Sequence, residues 1–287
     1  MPPKHVTVYG NDHSPWVQAV LLGLHDRAIP FTLVTVPPLR VFLDDGVLMP
    51  AAKIDDGPWM HDSAAILAEL GCANVLSEDA RDLMLLFRSS ASHRTDSSWR
   101  FWSNFSRARD GHPNALRRHW NHFWRAFSIF YFFSLIKVMG SLFRPQEADA
   151  GRTAMYALQD RLAERGTFFA GAAPDTVDYQ LFGLVQMCSS IPVPERAALQ
   201  DDPKLDRLRS WVADMHTRFA GYDHLYSAQD YAPKRPAARV STGSEQLAFW
   251  LGAATMWLAF PITIPVVLFY VIRTRKKMQR RQAAARA

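Results

Sequence analysis

The feature that most constrains this chain is an uncharged run near its C-terminus. Residues 247–272, "LAFWLGAATMWLAFPITIPVVLFYVI", form 26 consecutive positions without a charged side chain. As a helix this run extends about 39 Å, at ~1.5 Å per residue, and exceeds the ~30 Å hydrocarbon core of a bilayer. The alternative is a buried helix of a soluble domain, which rarely stays uncharged over such a length. The run predicts a transmembrane helix, with Trp250, Trp257 and Tyr270 as interfacial anchors.

The positive charge of the chain is concentrated after this run. The formal net charge is +6, from 33 Lys and Arg against 27 Asp and Glu. Residues 273–287, "RTRKKMQRRQAAARA", hold seven basic residues and no acidic one, and removing them leaves 26 basic against 27 acidic residues. Because the rest of the chain is close to neutral, the composition argues against a nucleic-acid partner.

The two cysteines and the first residues indicate a reducing environment. Cys72 and Cys188 are far apart and form no CxxC pattern, so a disulfide scaffold is not expected. The first residues, "MPPKHVTVYGNDHS", contain no apolar stretch typical of a secretory signal.

Hydrophobic periodicity predicts a small sheet covered by helices, followed by a helical half. The expected elements are a strand at 5–10, a helix at 15–27, a strand at 31–36, an irregular stretch "PPLRVFLDDGVLMP", a hairpin turning at Asp56-Gly57, and a helix capped by Asp62 or Ser63. From about residue 79 the pattern is helical throughout. The resulting order is β-α-β followed by β-β-α.

The stretch "HSPWVQAV" lies where the first strand gives way to the first helix. Proline is well tolerated at the first helical position, which makes Ser14 the N-cap. Ser14 is therefore either a plain capping residue or a group that stabilises an anion, such as a thiolate, at the positive end of the helix.

Three stretches together resemble the glutathione S-transferase superfamily over roughly residues 5–225. They are "YGNDHSPWVQAVLLGLHDRAIPF", "MPAAKIDDGPWMHDSAAILAEL" and "FFAGAAPDTVDYQLFG". The first is similar to the serine- or cysteine-type members. The third is similar to the family's capped helix, in which Asp178 bonds back to the N-terminal N–H groups beside Asp175.

The resemblance implies an α/β thioredoxin-like N-terminal domain and an all-α C-terminal domain. The implied domains are a glutathione-binding domain at 1–76 and a helical domain at 77–231. Composition adds a linker at 232–246, the transmembrane helix at 247–272 and a basic tail at 273–287. Members of the family often dimerise, so we expect a homodimer.

The resemblance also implies a binding site for glutathione as co-substrate. A cis-proline at Met49-Pro50 would hold the cysteinyl backbone, and Asp62 and Ser63 would hold the γ-glutamyl end. Ser14 would donate to the sulfur and favour the thiolate that attacks a small apolar substrate. No metal is implied.

The sequence departs from the family pattern in ways that leave alternatives open. Tyr9 is a rival thiol activator, but its spacing before Ser14 suits the non-catalytic tyrosine of the serine type. Serine-type members often carry a basic residue shortly after this serine, where this chain has Gln18. The glycine carboxylate of glutathione usually meets a basic residue, and the candidates are Arg40, Lys53 and His61.

An aromatic stretch, "RRHWNHFWRAFSIFYFF", shows helical spacing at Trp120, Trp124 and Phe127. Packing between helices is the first interpretation, and a wall of the substrate pocket or a surface that dips into the membrane is the second. His119 and His122 have the spacing of metal ligands, but no carboxylate or cysteine lies near them in sequence.

The basic tail complicates the orientation of the anchor, because basic flanks normally stay in the cytoplasm. Pro261 and Pro265 could break the segment into a re-entrant hairpin, the tail could insert after synthesis, or the domain could be exported. We favour a domain facing the cytosol, where glutathione and reduced thiols are present.

Two functions are consistent with these features. The first is a membrane-tethered glutathione transferase that conjugates apolar electrophiles or reduces hydroperoxides near the bilayer. The second is a non-catalytic adaptor of the metaxin or failed-axon-connections kind, which the C-terminal anchor and Gln18 favour.

Overall fold

The N-terminal part is built on a four-stranded mixed sheet. The computed structural model describes residues 3–46, 48–92, 112–143, 149–190, 193–229, 231 and 242–284. The strands are β1 (Val6–Tyr9), β2 (Phe31–Val34), β3 (Ala51–Ile54) and β4 (Trp59–His61). Their order is β2-β1-β3-β4, with β2 parallel to β1 and the other two pairs antiparallel. The predicted β-α-β, β-β-α order is confirmed.

Ten α-helices complete the described part of the chain. They are α1 (Pro15–Asp26), α2 (Leu39–Asp45), α3 (Ser63–Glu69), α4 (Ser77–Ser92), α5 (Ala115–Phe143), α6 (Ala150–Arg165), α7 (Thr176–Ser190), α8 (Pro194–Asp201), α9 (Asp206–Arg218) and α10 (Gly243–Ala284). A 3₁₀ turn at Pro203–Leu205 precedes α9. This confirms a helical second half, while the continuation of the predicted helix beyond Ser92 lies outside the described residues.

Helix α2 corrects one expectation from the sequence. The sequence predicts an irregular stretch at this position. The structure forms nearly two helical turns there, and Gly46, at φ 69°, terminates them. Burial explains the helix, since Val41 packs into a small cluster with Tyr9 and Ala51 beneath the sheet.

The two halves of the molecule share one hydrophobic core. Helix α1 lies against α7, and their backbones approach so closely that a Cβ on Gly183 would clash with the carbonyl oxygen of Pro15. A Cβ on Gly23 would likewise clash with the side chain of Leu67 on α3. The two glycines therefore allow α1 to be buried between the sheet half and the helical half.

The start of α7 is fixed by a buried carboxylate. Asp178 accepts hydrogen bonds from the backbone N–H of Asp175 at 3.1 Å, from that of Phe169 at 3.1 Å and from the indole of Trp211 at 2.8 Å. Burial raises the pKa of Asp178 to about 6, while the donated hydrogen bonds lower it. The capping arrangement anticipated between Asp175 and Asp178 is present.

Helix α10 is attached to α5 at its first turn. The backbone N–H of Thr242 donates to Glu245 at 3.0 Å, and the N–H of Glu245 donates back to the Thr242 hydroxyl at 3.4 Å. Arg118 of α5 donates to the same buried carboxylate at 2.7 Å. His119 lies 3.0 Å from the Ser244 hydroxyl. The start of α10 is therefore both capped and ion-paired.

Beyond this turn the two helices run parallel and in close contact. A Cβ on Gly252 would clash with the backbone of Phe123, and Phe130 packs beside Phe249. Further along, the Tyr131 hydroxyl donates to the carbonyl of Thr263 at 3.0 Å. Part of the aromatic stretch thus packs between helices, as the first interpretation expected.

The structure refines the expectations for the C-terminal segment. Within the predicted linker, residues 232–241 lie outside the described residues and α10 already begins at Gly243. Helix α10 continues through Pro261 and Pro265 as one helix instead of a re-entrant hairpin. Among the described residues, the part at Gly243–Val266 is long and apolar enough to cross a bilayer.

We predict that Asp178→Ala lowers the free energy of unfolding by about 2–4 kcal/mol, because it leaves buried N–H donors without an acceptor. Urea unfolding at neutral pH measures this loss. Asp160→Ala removes an exposed carboxylate from α6 and should change stability by less than about 0.5 kcal/mol. Equal effects of the two substitutions would contradict the capping role.

We also predict that Gly252→Leu destabilises the contact between α5 and α10 by about 1–3 kcal/mol, because the helices have no space for a side chain there. Thermal unfolding in detergent micelles would show the change. Ala254→Leu adds the same bulk on the exposed side of α10 and should leave the unfolding temperature nearly unchanged. If the apolar character of this contact mattered and its close fit did not, both variants would unfold at the temperature of the parent protein.

Candidate functional site

A cavity of about 270 Å³ lies between the sheet half and the helical half. Four of the predicted site residues line it, namely Met49, Pro50, Asp62 and Ser63. The other lining residues come from helices or the chain before α4: Trp16, Ala64, Val75, Ala80, Leu83, Met84 and Gln180. The structure therefore brings together two pairs of residues that lie thirteen positions apart in the sequence.

The wall formed by Met49 and Pro50 is held by the loop after β1. The Met49–Pro50 peptide bond is cis, as the resemblance implied. The backbone N–H of Asn11 donates to the Met49 sulfur at 3.4 Å. Gly10, at φ 154°, lies against Met49, and a Cβ there would clash with Val17. Glycine at this position lets the loop pack tightly against the cavity wall.

Asp62, and not Ser63, caps α3. The Asp62 carboxylate accepts from the backbone N–H of Ala64 at 2.8 Å and of Ala65 at 3.2 Å. Its backbone has φ 79°, a region that residues other than glycine seldom occupy. Such conformations are frequent at functional sites because the surrounding structure has to impose them.

Ser63 is buried and linked to the helical half. Its hydroxyl oxygen accepts a hydrogen bond from the side-chain amide of Gln180 on α7 at 3.0 Å. Because the oxygen is the acceptor in this bond, the hydroxyl proton of Ser63 is available to donate to an anion in the cavity.

Ser14 occupies the predicted N-cap of α1 but lies outside the cavity lining. Pro15 follows it at the first helical position, and the Ser14 hydroxyl makes no capping hydrogen bond. Trp16, two residues further on, lines the cavity instead. Ser14 is partly exposed, and its hydroxyl is not committed to capping the helix.

Tyr9 is placed differently from Ser14. Its ring is buried beneath the sheet in the cluster with Val41 and Ala51 and does not line the cavity. Burial raises the pKa of the Tyr9 phenol well above its ordinary value. A phenol in this environment is a poor source of a hydrogen bond to a thiolate in the cavity.

Gln18 has a structural role at the position where the family often has a basic residue. Its buried amide donates to the carbonyl oxygens of Asp12 at 2.7 Å and His224 at 2.8 Å. Its oxygen accepts from the Tyr222 hydroxyl at 3.2 Å. Gln18 thus joins the loop that precedes Ser14 to the segment after α9.

The positive charge near this loop comes from another helix. His13 is buried and stacks on Tyr226 with ring centroids 4.7 Å apart. Burial, together with the charge of Arg125 on α5, lowers the pKa of His13 to about 3. His13 is therefore neutral at physiological pH, and the cationic group that acts on its ring is the guanidinium of Arg125.

The candidates for the glycine carboxylate lie outside the cavity lining. Arg40 is exposed on α2, Lys53 lies 3.9 Å from Asp56, and His61 is on β4. His122 lies 4.0 Å from Glu245 and takes part in the contact between α5 and α10. No group of three or more metal-ligating side chains occurs in the part of the chain that the structure describes.

Sequence reasoning missed Trp16, Gln180 and Arg125. Trp16 was visible in the S-P-W stretch, but its direction depends on how α1 docks. Gln180 lies 117 positions from Ser63 in the sequence. Arg125 is on α5, and no pattern in the neighbouring sequence indicates where that helix packs. Only the packing of α1, α5 and α7 brings these side chains to the site.

No protein-family model matches the sequence, and no curated protein matches it. Similar solved structures include glutathione transferase Omega 1C from Trametes versicolor, at 14% identity and a TM-score of 0.46 over 80% of this chain and 93% of that chain. A glutathione transferase of Bombyx mori is 16% identical, with a TM-score of 0.44 over 88% and 99% of the two chains. One from Pseudomonas fluorescens is 15% identical, with a TM-score of 0.43 over 74% and 94%. At these values the neighbours say nothing about the activity of this chain.

We predict that Gln18→Met lowers the free energy of unfolding by about 2–3 kcal/mol, because two buried carbonyl groups lose their donor. Gln18→Glu keeps the shape of the side chain but places a carboxylate against the same carbonyls, so it should be at least as destabilising. Urea denaturation measures both. A Glu variant as stable as the parent protein would show that the amide donor is not required.

Proposed function

We propose that this protein is a membrane-tethered glutathione transferase-like enzyme that joins glutathione to apolar electrophiles or reduces hydroperoxides near a bilayer. The observation that supports this most directly is the shared cavity, which Met49, Pro50, Asp62 and Ser63 line together. Its lining combines the polar side chains of Asp62, Ser63 and Gln180 with apolar ones, which suits a peptide with one charged end.

In this proposal the γ-glutamyl end of glutathione binds beside α3. The Ser63 hydroxyl, which already accepts from Gln180, donates to the carboxylate of the ligand. The carboxylate of Asp62 accepts from the ligand's amino group. The backbone of Met49 pairs with the cysteinyl residue in the manner of an added strand.

The thiol would then face Ser14. The Ser14 hydroxyl, which is not used to cap α1, donates to the sulfur and favours its thiolate form. The guanidinium of Arg125, which acts on the neighbouring His13, adds positive potential near this loop. The thiolate attacks the electrophilic carbon, a carbon–sulfur bond forms, and the displaced group leaves with the bonding electron pair.

Helix α10 would provide the membrane tether. It exposes apolar side chains along its free side, including Leu251, Leu258 and Ile262. One such helix raises the local concentration of the domain near lipid-soluble substrates. The same proposal includes a homodimer whose folded domain faces the cytosol, where glutathione and reduced thiols are present. Because α10 is one continuous helix, this orientation requires that the basic tail inserts after synthesis.

Binding to immobilised glutathione tests the proposal. The full-length protein in detergent should be retained and should elute with free glutathione. Ser63→Ala should weaken retention about tenfold or more, because the buried amide of Gln180 and the ligand carboxylate both lose a partner. Ser210→Ala, an exposed change on α9, is the matched control and should bind normally.

Turnover of a general aromatic electrophile tests the role of Ser14. Ser14→Ala should still bind glutathione but should lose activity about 10- to 100-fold, because less of the bound thiol is ionised. Normal activity in this variant would remove Ser14 from the mechanism.

The second candidate is a non-catalytic adaptor with the same fold. Two observations favour it: Ser14 lies outside the cavity lining, and Gln18 replaces a basic side chain. Failure to bind immobilised glutathione, together with no effect of Ser14→Ala, would support the adaptor and reject the enzyme.

A further inference from the structure

Exposed apolar side chains are concentrated on three helices, of which α10 touches the other two. Among the described residues, the exposed large hydrophobic side chains lie on α2, α5 and α10, apart from Val36 just before α2 and Leu76 just before α4. Helix α10 packs along α5 and also lies against α2. Because α10 contacts both neighbours, their exposed apolar residues can meet one common environment. Single exposed apolar residues are ordinary, but a concentration of this kind indicates an interaction surface.

Helix α2 has an inner and an outer apolar face. Val41 points inward and packs on Tyr9 and Ala51. Leu39, Phe42 and Leu43 are spaced three and four residues apart and are 73%, 42% and 55% exposed. Residues at this spacing share one side of a helix, so the outward face of α2 is apolar although the helix lies on the surface.

The neighbouring helix identifies the environment as lipid. Helix α10 carries no charge from residue 247 to residue 272 and exposes Leu258 at 83% and Phe269 at 60%. It is long and apolar enough to cross a bilayer. The hydrocarbon core of a bilayer is the simplest environment for an uncharged helix of this length. Helix α2 touches α10 directly and therefore lies beside that environment.

We propose that α2 is a second membrane contact, in which Leu39, Phe42 and Leu43 insert into the apolar edge of the bilayer beside α10. This inference rests on the membrane tether of the proposed function. The contact is hydrophobic and not electrostatic, because α2 ends in acidic residues and should not seek anionic headgroups. It holds the sheet half, and with it the cavity at Met49, against the membrane surface.

Site-directed fluorescence on the full-length protein in vesicles tests this contact. Cys72 and Cys188 are both buried, so an introduced surface cysteine can be labelled selectively. Leu43→Cys reports on α2, Leu258→Cys reports on α10, and Ser210→Cys on the exposed side of α9 is the control for water. The label is an environment-sensitive fluorophore, and the vesicles are zwitterionic phosphatidylcholine with or without a lipid-borne quencher.

We expect the fluorescence emission of the label at residue 43 to shift to shorter wavelength. Its fluorescence should be quenched at least twofold more than that of the label at residue 210. A label at Leu39→Cys should give the same result. Agreement between the two positions would show that the signal does not come from the substitution at residue 43 alone. The contact should persist in high salt, because it does not depend on charge.

The outcomes separate the inference from the function on which it rests. Quenching at residue 258 with water-like emission at residue 43 overturns the α2 contact and leaves the tether in place. No quenching at residue 258 overturns the tether and the inference together. A blue-shifted label at residue 43 that lipid quenchers do not reach indicates coverage by a second copy of the chain, which also overturns the lipid contact.

Discussion

The arrangement of the site depends on the close backbone contact between α1 and α7. Gly183 leaves room for the carbonyl of Pro15, and this contact fixes α7 against the start of α1. Gln180 lies one turn before Gly183 on the same helix and therefore reaches Ser63 across the boundary between the two halves. A larger side chain at the contact would move the amide away from Ser63. The cavity is thus a product of helix packing as much as of the sheet.

The loop between β1 and α1 balances two demands. It has to pack against Met49, which Gly10 and the backbone N–H of Asn11 make possible. It also has to place Ser14 at the start of a helix. Gln18 holds the loop through neutral hydrogen bonds to buried carbonyls. A cation at this buried position would need a compensating charge. The cation that acts on the neighbouring His13 is Arg125, on a separate helix.

The C-terminal helix packs on the folded domain at defined contacts. Its first turn is fixed by the ion pair of Glu245 with Arg118, and its next turns pack on α5 at Gly252. Specific packing on one side and apolar exposure on the other are the features expected of a helix that binds protein and lipid at once. The position of the folded domain at a membrane would then be set by α5 and α2 and not by a flexible linker.

The sequence by itself determined the local features of this protein. Period-2 and period-3.6 patterns predicted the strands and most helices, and capping chemistry left Asp62 or Ser63 at the start of α3. The family resemblance pointed to Asp178, and the absence of charge marked residues 247–272. The sequence did not predict the helix at residues 39–45, because this helix depends on the burial of Val41 against Tyr9. Only the tertiary structure decided that Gln180 contacts Ser63, that Trp16 and not Ser14 lines the cavity, and that α10 packs along α5. The physical reason is that caps and periodicity act between residues a few positions apart, whereas contacts between distant helices depend on how whole faces fit, and no short stretch of sequence encodes that fit.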